Sequence, residues 1–294
     1  MGFALYAVIA GILGLAFGPF TTLVFNKVPE KWLQDYDYDP NAKDFRLSRR
    51  MRLVPETILS SAFCLIFCLF PLFFCQAYVL SGAFFKLAII VFSTPFMFLV
   101  LISDRLNRII PDQFTVAVGI FGIAGLVSDY VEGCIWFSYE AAWYAPLINR
   151  IGAALLGAGF LLLVNFLCRT FIGKDGLGGG DIKLIFCCGL LTGIYGLVIM
   201  TYVSCFTALL VAIPLFVRKK MRQRKEEQMI RESDDPVKAR QELKIKKSQI
   251  HYADDPDALA LGPFLVIGTC AAISMEQFFF EFLFTRFGNL GIFF

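Results

Sequence analysis

Two aspartates stand where a membrane chain rarely leaves an acid. One is Asp181 in GLGGGDIKL (176–184), placed after a run of glycines and before an apolar segment. The other is Asp104 in LISDRLNRIIPDQFT (101–115), directly behind another apolar segment. An ionisable residue at a membrane boundary is a functional candidate by default. Two carboxylates brought together have a defined chemistry. Like charges at short range cannot both ionise easily, so the pair shares a proton. The ionised member can take a proton from water, and the protonated member can donate to a substrate carbonyl. That arrangement hydrolyses a peptide bond without metal or histidine. The chain has one histidine, His251, and no cluster with metal-ligand spacing, so no metal site is expected. A serine nucleophile would lack an evident base.

The residues around Asp181 admit two readings. Gly178, Gly179 and Gly180 allow torsions closed to other residues and let a second backbone approach. Equally, they form a turn before a helix that Asp181 would cap. Lys183 is either an anchoring cation that snorkels to the inner surface or a charge that tunes the nearby carboxylate. It is kept with the three glycines as a candidate substrate-binding residue. Asp112 competes with Asp104 for the partner role, but it follows Pro111 at an expected helix start, where capping is the simpler task.

Apolar spans must carry these acids. Hydrophobic residues make up 57% of the chain and charged residues 17%, more apolar surface than a soluble fold of 294 residues could hide. The expected fold class is all-α, a polytopic membrane protein of about eight helices near 3–25, 57–80, 83–102, 114–131, 146–167, 182–196, 197–217 and 260–283. The sixth is short and merges with the seventh, which suggests a tight hairpin or an interfacial segment. The first basic residue is Lys27, so the first run lacks the cationic start of a cleaved signal and reads as a retained span. Lys and Arg crowd alternate loops, at 26–56, 105–108, 169–174 and 218–258, while 131–145 holds none. The positive-inside rule then puts both termini outside and both aspartates at the cytosolic face.

Other features read more plainly. Trp136, Phe137, Tyr139, Trp143 and Tyr144 form an interfacial aromatic belt. Nearly all nine cysteines lie in apolar runs as packing residues. Arg150 is expected to snorkel to the outer interface. Residues 218–258 form a charged cytosolic loop in which 219–232 and 236–250 have helical potential. No nucleic-acid partner is expected.

At this point the chain resembles the type IV prepilin peptidases. GGGDIKL (178–184) matches their GxGD signature, and DRLNRIIPDQFT (104–115) resembles their first aspartate block. GFALYAVIAGILGLAFGPFTTLVFNKVPE (2–30) resembles their N-terminal span and LALGPFLVIGTCAA (259–272) their last. The four blocks keep the family's order. The resemblance implies a membrane aspartic endopeptidase of the bacterial inner membrane, with Asp104 and Asp181 as catalytic pair. Its substrates would be prepilins or pseudopilins, cut where a basic leader meets a hydrophobic helix in the bilayer. It implies a division into 1–82, a degenerate methyltransferase-like region, and 83–294, the peptidase membrane domain. Bacterial members commonly carry zinc-binding cysteines in the first cytosolic loop, and here 26–56 has none. Peptidase chemistry needs no cofactor; N-methylation of the new terminus with S-adenosylmethionine is left open. An ion-coupled carrier using the same two aspartates is the alternative from another class.

Overall fold

Hydrocarbon offers backbone N–H and C=O groups no partners, so apolar segments of this length close their hydrogen bonds internally as helices. The structure, a computed structural model, describes residues 2–34, 46–134, 143–173, 178–232 and 259–287, with 238, 240, 241 and 243 between. Its helices are α1 (Phe3–Lys27), α2 (Glu56–Phe74), α3 (Gln76–Ser81), α4 (Phe84–Asn107), α5 (Asp112–Glu132), α6 (Ala145–Ile172), α7 (Gly179–Glu232), α8 (Gly262–Ser274) and α9 (Glu276–Phe287). There is no strand among the described residues. The fold is all-α and polytopic, as expected.

Six helices are long and apolar enough to cross a membrane, or seven if α8 and α9, bent by 76°, make one span. The expected count of about eight takes 182–196 and 197–217 as separate spans; both lie in α7, on either side of an interruption. That helix is interrupted at Gly193, whose φ of 73° and ψ of 178° are not helical. The chain doubles back there. A Cβ on Gly157 of α6 would meet Leu197 at 3.1 Å and Ile185 at 3.3 Å, one from each side of the break. Ser204 donates to the Phe264 carbonyl at 2.9 Å, while Cys188 on the other arm bonds Thr269. Both arms therefore line α8.

A break inside hydrocarbon strands polar groups, and α6 supplies their partners. The Ile194 N–H donates to Asn149 Oδ1 at 2.8 Å. Arg150 donates to the carbonyls of Leu190, at 3.2 Å, and Leu191. Its Nε and Nη2 grip both oxygens of Asp129 on α5, at 2.5 and 3.0 Å. The expected snorkelling of Arg150 is thus corrected: the side chain turns inward because stranded carbonyls and a buried carboxylate hold it there. Asp129, 1% exposed, is a third misplaced acid that the sequence reading passed over. Lys86 of α4 reaches it at 3.7 Å and donates to the Gly133 carbonyl. Removing one partner from so buried a pair costs about 3–5 kcal/mol.

α4 is central. Met97, Phe98, Leu99, Val100 and Ile102 are all fully buried, a run that only a helix surrounded on every side can show. By contrast Leu155, Leu156, Leu162 and Leu163 of α6 are more than half exposed and face lipid. α1 closes against α2 through small residues: Gly14 and Gly18 meet Leu65 and Ser61, and Thr21 bonds Ser60 at 2.6 Å. α7 runs on as a helix through Glu232, as expected for 219–232; residues 233–237 and most of 239–258 fall outside the described residues. Of the aromatic belt, Trp143 and Tyr144 are exposed at the start of α6, and Trp136, Phe137 and Tyr139 fall outside the described residues.

The α1–α2 contact makes a prediction. A Cβ on Gly14 would lie 2.7 Å from the Leu65 Cα, whereas Gly11 has nothing within 4 Å. Gly14→Leu should destabilise the fold by about 1–3 kcal/mol and Gly11→Leu should not, as read by thermal unfolding in detergent.

Candidate active site

Three helix ends converge at the end of the bundle where the cations gather. The last turn of α4 contributes Asp104, 6% exposed. α4 stops at Arg108, whose left-handed φ of 58° turns the chain towards α5. A non-glycine there costs roughly 1–2 kcal/mol. The turn is secured by the Arg108 N–H on the Asp104 carbonyl at 3.0 Å and by Ser103 Oγ on the Ile109 carbonyl at 2.8 Å. The Arg108 charge also acts on the Asp104 carboxylate.

The second end is the start of α8. The Gly262 N–H donates to Asp104 Oδ2 at 2.9 Å. Free amides and the macrodipole make a helix N-terminus a seat for an anion. Any side chain here would push the carboxylate aside, since a Cβ on residue 262 would lie 2.6 Å from that oxygen. The sequence reading quoted LALGPF without giving Gly262 a task. Gly-Pro at a helix start was the available signal.

The third end is the start of α7. Asp181 is the third residue of the helix, half-buried, and its carboxylate accepts a hydrogen bond from the Gly178 N–H. This is the acidic half of a capping box. Asp104 and Asp181, far apart in the chain, are close enough here for their charges to act on each other. The three glycines play different parts. None has positive φ; among the described glycines those that do are Gly82, Gly133, Gly173 and Gly193. Gly180 packs on Ile110, where a Cβ would come to 3.2 Å, and Gly178 faces the Asp181 carboxylate. Gly179 has nothing within 4 Å, which leaves open space beside Asp181.

Lys183 turns to a different acid. Its Nζ lies 2.9 and 3.0 Å from the two oxygens of Asp112, both side chains being about half exposed. The pair ties the start of α5 to the start of α7, though at that exposure it contributes only about 0–1 kcal/mol. Asp112 does not occupy the capping position expected of it: that place is taken by Pro111.

Residues 46–51 lie beside the site, held by groups that sequence reasoning missed. Asn107, one turn beyond Asp104, bonds both the N–H and the carbonyl of Arg49, at 2.8 and 3.2 Å. Asn26 of α1 does the same for Met51, at 3.0 Å each way. Arg50 donates to the carbonyls of Phe25 and Val28 and to Glu30 at 2.7 Å. Glu30 also receives Ser48 and Gln34. Burial pushes the Glu30 carboxyl up, but the donors Ser48, Gln34 and Arg50 outweigh it and hold it at about 2, against an ordinary 4.5. No group of three or more metal-ligating side chains occurs among the described residues.

Residues 91–213 match the family model of the type IV leader peptidase family. The match runs from the middle of α4 into the second arm of α7 and contains both Asp104 and Asp181. The resemblance read from the sequence holds over that stretch. No curated protein and no solved structure matches the chain.

The Glu30 clamp predicts a pH response. A depressed carboxyl stabilises the fold above its unfolded value, and that stabilisation is lost as pH falls from 4.5 towards 2. The adjacent Trp32, observed by fluorescence with Trp136 and Trp143 replaced by Phe, should report a clamp intact at pH 5 and opening near pH 2. Glu30→Gln should remove that transition.

Proposed function

We propose that the protein is a membrane-embedded aspartic endopeptidase that removes the short basic leader from type IV prepilins or pseudopilins. Asp104 and Asp181 are its catalytic pair, working at the cytosolic face of the inner membrane. The observation that carries this reading is the meeting of the two acids within a stretch matching the leader peptidases. Neighbouring carboxylates share one proton. The ionised one takes a proton from water as that water attacks the scissile carbonyl, and the protonated one donates to the carbonyl oxygen. The helix N-termini of α7 and α8 each give one carboxylate an amide hydrogen bond, which keeps both in place before substrate arrives.

The open space over Gly179 is where an extended substrate backbone lies against the site, with Gly178 and Gly180 on either side. Lys183 acts indirectly, by holding α5 against α7 through Asp112. The cations gathered at this end of the bundle support a cytosolic site by the positive-inside rule. A leader that stays in the cytosol, on a helix that stays in the bilayer, presents its junction at this depth. The peptidase step uses no cofactor. S-adenosylmethionine-dependent methylation of the new terminus is a separate activity of this reading, to be tested with labelled methyl donor.

The test is cleavage of a prepilin-like substrate by the purified, detergent-solubilised chain. Asp104→Asn and Asp181→Asn should each lower kcat by at least about 10⁴-fold, the scale on which loss of an essential acid–base group acts. Asp112→Asn should leave most of the activity. Cleavage that survives Asp104→Asn would transfer the partner role to Asp112. Gly262→Ala should lower kcat at least about tenfold by displacing Asp104, while Gly179→Ala should act mainly on KM.

A further inference from the structure

The bundle holds a second charged cluster that the proposed reaction leaves unused. It lies at the opposite end of the helices from Asp104 and Asp181. Arg150 of α6 grips Asp129 of α5, and Lys86 of α4 approaches the same carboxylate at 3.7 Å. Arg150 also holds the Leu190 and Leu191 carbonyls of α7. Beside them is a cavity of about 40 Å³, bordered by Tyr78, Lys86, Ser128, Arg150 and Glu276. That is room for a few waters. Two buried cations and a buried acid in an apolar bundle need a reason.

Their connections supply one. α4 runs from Lys86 at this end to Asp104 at the other, and the first arm of α7 runs from Asp181 to Leu191. Each catalytic carboxylate thus stands on a helix whose far end is fastened, directly or through Arg150, to Asp129. At 1.5 Å per residue the levers are roughly 27 Å and 15 Å long. The α7 arm ends at Gly193, where Arg150 and Asn149 of α6 hold the freed backbone and the Thr192 hydroxyl bonds the Cys188 and Gly193 carbonyls. A misplacement of 1 Å at reacting groups lowers a rate by about a hundredfold.

We infer that Arg150 and Asp129 are positioning residues, which set the spacing of Asp104 and Asp181 from the opposite end of the bundle. The inference rests on the catalytic reading above. Its test uses the full chain in detergent, with Arg150→Met, Arg150→Lys and Asp129→Asn. For folded protein, Arg150→Met and Asp129→Asn should lower kcat at least about tenfold while KM stays within about twofold. Arg150→Lys, which keeps the charge and one donor, should recover part of the loss. In parallel, oxidative cross-linking of an Asp104→Cys/Asp181→Cys pair should slow when Arg150→Met is added. Wild-type kcat per folded molecule together with wild-type cross-linking, even at a lowered unfolding temperature, would overturn the inference and leave the cluster a purely structural one. If the wild type cuts no offered prepilin, the catalytic reading fails, and cross-linking alone decides: a slower rate sustains the spacing role and an unchanged rate removes it.

Discussion

A backbone group inside hydrocarbon must find a partner, and the interruption of α7 at Gly193 is where this chain meets that constraint most sharply. The fold answers with two consecutive side chains of α6. Asn149 takes the stranded N–H and Arg150 takes two stranded carbonyls. Arg150 brings a charge with it, which needs Asp129. Much else follows from the reversal this permits. The second arm of α7 returns along α8, where Ser204 bonds the Phe264 carbonyl. α8 is thereby seated with its N-terminus against Asp104. Without the turn, α8 would lose one of the arms that line it.

At the other end, the problem is to keep two acids close in a poorly solvated place. Helix N-termini relieve this. Asp181 sits in the first turn of α7 and accepts a backbone amide, and Asp104 accepts one from α8. Both amides belong to glycines, and at Gly262 a Cβ would occupy the place of the carboxylate. The neighbouring segment 46–51 is pinned by two asparagines and the Glu30–Arg50 pair, in a loop that carries no cysteine. Polar side chains thus order the chain beside the site.

Legibility differed by feature. Helices over the long apolar runs followed from composition, and so did the two boundary acids, because an acid beside such a run is conspicuous. The reversal inside α7 was legible as a hairpin between two short spans, but its place at Gly193 was not, since a single glycine splits a continuous apolar stretch without altering its hydropathy. Arg150 was misread because a cation near a helix end has the same sequence signature whether it reaches water or turns inward. Asp129 was passed over although it lies inside the expected span 114–131. Asn26, Asn107 and Glu30 gave no signal, as amides and acids near helix ends are common and their partners lie far along the chain.

The sequence by itself determined the class of fold, the residues able to carry acid–base chemistry, and the resemblance to leader peptidases, because these depend on local composition and short spacings. Only the tertiary structure decided which acids meet, which cation answers which acid, and which glycine makes room for a carboxylate. Those depend on helix ends brought together from distant parts of the chain. Asp104 and Gly262 are one hydrogen bond apart in space, and no local pattern encodes that distance.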